Sequence, residues 1–140
     1  MDETVFDNLN RSVIDAFIAD RQEEHLHLDF KTVSAVSFQR RDDRKNLAIA
    51  VSGFANSDGG MIIWGIDARQ NGDGIDCAVG QAEIHSLSLF MSKLTQFAGE
   101  AATPMVTGVK HKSLFNEDDR GFAATLVPAS DNGPHMAKLN

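Results

Sequence analysis

Leu9, Val13, Ile14, Phe17 and Ile18 recur at spacings of three and four, and that period predicts an amphipathic helix over residues 7–19. The polar run Arg21-Gln22-Glu23-Glu24 ends it or leads onward. Leu26, Leu28 and Phe30 then alternate with His27, Asp29 and Lys31, the pattern of a half-buried strand with Asp29 and Lys31 on its polar face. Residues 32–39, rich in Val and Ser, read as strand or loop. Asp42 or Asp43 is placed to cap a helix through Leu47, Ile49, Ala50, Val51 and Phe54 that ends near Asn56. Asp58-Gly59-Gly60 makes a tight turn into a mostly apolar, central strand over 61–66, with Asp67 at its C-terminal end.

Residues 71–74 form a loop or hairpin turn. A second long helix is expected over 83–97 through Ile84, Leu87, Phe90, Met91 and Leu94, closed by Gly99 and Pro104. Residues 105–115 and 121–127 read as strands joined by a turn over 116–120. This order predicts an α+β domain, a mixed or antiparallel sheet with helices packed on it, as a single unit over residues 1–140.

Composition narrows the class. The chain has 140 residues, 42% apolar and 24% charged, as in an ordinary soluble globular protein with one core. No apolar run is long enough to span a membrane, and the acidic start Met1-Asp2-Glu3-Thr4 lacks a signal-peptide core. The lone Cys77 excludes an internal disulfide and a multi-cysteine zinc site, and fits a reducing cytoplasm. A net charge of −7 argues against coating nucleic acid by charge alone. Two local basic clusters remain, Arg40, Arg41, Arg44 and Lys45, and Lys110, His111 and Lys112. Each is either solvated surface charge or a grip on a phosphate backbone, and the first is the better placed for RNA or DNA.

The candidate chemistry lies in two segments, residues 24–31 and 53–67. Carboxylates brought together need a proton or a cation between them. If the fold gathers Glu24, Asp29 and Asp67, the natural occupant is Mg²⁺ or Mn²⁺. Glu24 and Asp29 are five apart and would face opposite sides of a regular strand, so they converge only if Glu24 precedes it. Taken singly, each acid reads as a solvated carboxylate. Lys31 shares the face of Asp29 and can offer its ammonium to a phosphate, or else simply pair with that acid. His27 can touch phosphate or base. Asp58-Gly59-Gly60 lacks the lysine and spacing of a phosphate loop, which makes ATP a poor ligand. Asn56 is expected to bond across that turn, Trp64 to be core, and His85, His111 and His135 to be surface or edge residues.

Glu24 with Leu28-Asp29-Phe30-Lys31, then Phe54-Ala55-Asn56-Ser57-Asp58-Gly59-Gly60 and Ile63-Trp64-Gly65-Ile66-Asp67, resemble the motifs of Schlafen-type AlbA-like domains. Pro104, Val127-Pro128-Ala129-Ser130 and Pro134-His135 extend the resemblance to about residues 20–138. It implies a nucleic-acid-associated domain, and for the Schlafen type a metal-dependent endoribonuclease acting on structured RNA such as tRNA. The implied acidic trio is Glu24, Asp29 and Asp67, with Asp29 standing where glutamate is usual and reaching one methylene less far. Schlafen cores join two lobes, and this chain carries one, so the resemblance implies a homodimer. The family also contains non-catalytic DNA- or RNA-binding modules of regulators. A dimerisation scaffold is a third reading, from the acidic balance and the single lobe.

Overall fold

The computed structural model describes residues 3–115 and 117–139. Two helices lead, α1 (Glu3–Asp7) and α2 (Arg11–Ala19), where the periodicity predicts one. Asn10 divides them: its backbone is extended and its side chain accepts a hydrogen bond from Val13 N, capping α2. Strand β1 (Leu28–Lys31) starts two residues later than expected. The residues before it form a tight turn closed by reciprocal backbone bonds between His25 and Leu28, which leaves Leu26 85% exposed.

Helix α3 (Arg41–Ala55) returns over the sheet to β2 (Gly60–Trp64). Arg40, not Asp42 or Asp43, is its N-cap, and it makes no side-chain capping bond; the two acids fall in the first turn, where their negative charge is favourable to the helix dipole. β2 lies parallel to β1, pairing Asp29 with Ile62 and Lys31 with Trp64, so β1–α3–β2 is a parallel crossover. β2 is buried throughout, as its composition predicts. The expected single strand over 61–66 breaks at Gly65, whose φ of 102° favours glycine, and whose missing Cβ would lie 2.9 Å from the Phe122 ring. Beyond the break, β3 (Ile66–Gln70) and β4 (Asp76–Gln81) form an antiparallel ribbon, with residues 71–74 as its turn. The sequence pattern gave no sign of β4.

Helix α4 (Leu87–Gly99) begins four residues later than predicted. Ser86 before it is left-handed and gives no capping bond; the Asp119 carboxylate, from a short 3₁₀ turn (Glu117–Asp119), accepts from Ser88 N and Oγ instead. A short pair, β5 (Ala102–Thr103) with β8 (Met136–Ala137), was not foreseen. β6 (Lys110–Phe115) and β7 (Gly121–Val127) make the expected hairpin, shorter at its start, and Asn116 of its turn lies outside the described residues. The main sheet has the order β1-β2-β7-β6, mixed in direction. Val51, Ile62, Trp64, Phe90 and Leu94 fill the layer between one face and α3 with α4. Ile14, Phe30, Ile63, Ile66 and Phe122 fill the layer beneath α1, α2 and the ribbon. Among the described residues no helix is long and apolar enough to cross a membrane.

Candidate nucleic-acid site

Because the chain turns sharply at 25–28, Glu24 lies outside β1, and its carboxylate folds back to accept from Phe30 N at 2.8 Å. Its backbone N donates to Asp76 O at 2.8 Å, so the foreseen bend is stitched to β4. There the Glu24 and Asp29 carboxyl groups meet within hydrogen-bonding reach. Partial burial, then the hydrogen bond with Asp29, raise the Glu24 pKa from 4.5 to about 7; the Phe30 N–H opposes them, and the charges of Asp29 and Asp76 add to the rise. Lys31 Nζ sits 3.0 Å from Asp29 Oδ2, with both side chains about one quarter exposed.

Asp67 is placed differently. It is the second residue of β3, and its Oδ2 lies 3.3 Å from Arg69 Nε. Among the described residues no three His, Cys, Asp or Glu side chains come together in a way that could hold a metal. Two of the three expected acids therefore meet and the third does not join them. Asp76, unremarked in the sequence, reaches the pair electrostatically; only the pairing of β4 with the segment before β1 reveals it.

The expected cationic residues divide. Arg40, Arg41 and Lys45 are exposed at the start of α3. Arg44 is half-buried, donates from Nη1 to Phe38 O at 2.6 Å and lies 5.8 Å from the Phe97 ring centre, so much of its role is packing. The second basic cluster is internal support. Lys110 pairs with Glu3, and Lys112 Nζ donates to Asp7 O and Leu9 O at 2.9 Å, sealing the end of α1. His27 is half-buried, and its Nδ1 lies 2.9 Å from Gly59 O, tying the start of β1 to the 58–60 turn. A carbonyl only accepts, so Nδ1 carries the proton.

Two readings of polar residues, those of Asn56 and His135, are corrected, while His111 lies on β6 at the edge of the sheet, as expected. Asn56 does not bond across its turn: it holds the backbone of His135 from both sides. His135 is 4% exposed, not a surface residue, with Nδ1 2.6 Å from Pro104 O and Nε2 2.6 Å from Ser130 Oγ. His111 is half-buried with Nδ1 2.9 Å from Thr125 Oγ1, which also accepts from Trp64 Nε1. Burial lowers the His111 pKa to about 4. Trp64 is core, as expected, and Gly59 takes the positive φ of its turn. His85 is exposed.

The family model for Schlafen, AlbA_2 matches residues 24–122, from the first acid to the last long strand. The chain belongs to the Schlafen AlbA_2 family. Membership associates this domain with nucleic acid. The fold is similar to the N-terminal domain of a DNA-helicase-RecG-related protein from Nitrosomonas europaea, solved by solution NMR, with a TM-score of 0.59 and 17% identity over 91% of this chain and 78% of that one. No curated protein matches the chain. For this Schlafen AlbA_2 domain the motif around Asn56 has a structural meaning, since Asn56, Ser130 and His135 form one internal clamp.

Proposed function

We propose that this domain binds an RNA strand along the start of α3 and cleaves it, with a divalent cation, at the Glu24–Asp29 pair. The meeting of those two carboxyl groups beside Lys31 carries the reading. Two neighbouring carboxyl groups, one of which keeps its proton to about pH 7, are hard oxygen donors, and their chemistry would suit Mg²⁺ or Mn²⁺ in place of that proton. Such an ion would supply positive charge to the phosphate. Lys31 offers its ammonium to the negative charge that develops on phosphate oxygens. Without the ion Glu24 keeps its proton up to about pH 7, so cation binding at the pair competes with protonation and is favoured as pH rises. Arg40, Arg41 and Lys45 supply backbone contacts, which set affinity rather than sequence.

The test is incubation of tRNA with the purified chain and Mn²⁺. Wild type is expected to cut and Asp29→Ala to leave the RNA intact; equal cleavage, or none by either, ends the catalytic reading. The pairing of Asp67 with Arg69 favours a second reading, a strand-binding module without catalysis. In that case Asp67→Ala leaves binding unchanged, Arg41→Ala weakens it, and no variant alters RNA integrity.

A further inference from the structure

A cleft of about 300 Å³ opens where the parallel strands β1 and β2 end, between the 32–38 loop and the first turns of α3. Open sheets with parallel strands bind ligands at this end of the strands. Phe38, Trp64 and Phe90 form its apolar wall, with Trp64 6.1 Å from Phe38 and 5.4 Å from Phe90 between ring centres. Its polar rim carries Lys31, Asp43 and Asn46. Lys31 belongs to both places: it lines the cleft and touches Asp29 at 3.0 Å. A phosphate held by Lys31 beside the acid pair would bring the attached base to the cleft mouth.

The volume lies at the small end of ligand sites, about 300–1,000 Å³, which leaves room for one base rather than a whole nucleotide. The rim chemistry selects among bases. Asp43 carries a carboxylate that only accepts, and its hydrogen-bond partner is the Ser34 hydroxyl at 3.3 and 3.4 Å, long enough to be displaced. Guanine alone presents two adjacent N–H donors on its pairing edge; adenine, cytosine and uracil set a donor beside an acceptor. Asn46 is exposed at the rim, and its amide can donate to the neighbouring carbonyl oxygen of the same base.

We propose that this cleft is a single-base pocket that takes guanine from the bound strand, with Asp43 and Asn46 as the specificity-determining residues. The inference rests on the strand-binding reading above and does not require cleavage.

Trp64 is the sole tryptophan, so its emission reports on the cleft directly. The whole chain is titrated with GMP, AMP, CMP and UMP, following Trp64 emission and equilibrium dialysis together. GMP is expected to change the emission and to bind about tenfold or more tightly than UMP. Asp43→Asn should remove most of that preference. Asn46→Ala, at an exposed position, should weaken GMP binding with the melting temperature unchanged. Four equal responses, or none by either measurement, overturn the pocket. Fluorescence anisotropy with guanine-containing and guanine-free RNA oligomers separates the two readings. Equal, salt-dependent binding of both overturns the pocket and leaves strand binding standing. Binding of neither overturns both.

Discussion

Asn56 and His135 hold one another across 79 positions of chain: Asn56 Nδ2 donates to His135 O at 2.8 Å, and His135 N donates to Asn56 Oδ1 at 2.7 Å. The amide thus acts as a strand would toward that segment, and it joins the end of α3 to the segment carrying β8. Asn56→Ala leaves a part-buried N–H and C=O unmatched, at about 1–3 kcal/mol. Urea denaturation should show that loss. Asn56→Asp keeps the acceptor for His135 N and should cost less; equal losses would mean that the His135 N–H gains nothing from its bond.

Two groups give opposite pH signatures. Glu24 holds its proton to about pH 7 when folded and to about 4.5 when unfolded. Between these values the folded state binds more protons, so its contribution falls as pH rises through the window. His111, lowered to about 4 from 6.5 by burial, behaves in the reverse sense: the unfolded chain binds more protons between those values, so stability rises with pH there. The windows overlap and partly cancel in the wild type. Urea midpoints from pH 4 to 8 should climb more steeply in Glu24→Gln than in wild type, and should descend in His111→Gln. Parallel curves for all three proteins would show that neither group is shifted.

A divalent ion at the acid pair must displace the proton that Glu24 holds up to about pH 7. At neutral pH, Mn²⁺ at ten times its dissociation constant should therefore stabilise the wild type by about 1.4 kcal/mol and release protons. Asp29→Asn should lose both effects. Thermal unfolding with and without Mn²⁺, with proton release followed by an indicator dye, checks this; stabilisation that survives Asp29→Asn would place the ion elsewhere.

Arg41 and Lys45 should separate from Arg44. Arg44 bonds to Phe38 O and lies over Phe97, so Arg44→Ala should destabilise the fold by about 1–3 kcal/mol. Arg41→Ala and Lys45→Ala, at exposed positions, should change stability by less than about 0.5 kcal/mol. Each should instead reduce the salt dependence of single-strand binding by about 0.7 in the log–log slope. Anisotropy titrations at several salt concentrations measure it.

By itself, the sequence determined the elements that carry a strong period: α3, the buried β2, most of α4, and the β6–β7 hairpin. It also showed that Glu24 must precede its strand if it is to meet Asp29, because strand alternation is a local rule. Tertiary structure decided the rest. β4 and the β5–β8 pair are short and take their partners from distant segments, so no local pattern marks them. The use of Lys112 to seal α1, of Asp119 to cap α4 and of Asn56 to hold His135 depends on residues that meet only once the core has closed. Asp67 and Asp76 look alike in sequence, yet one faces Arg69 and the other adds its charge to Glu24. The reason is physical: hydrophobic period is written along the chain, whereas the field and hydrogen-bond partners of a polar group are set by whatever the folded backbone brings beside it.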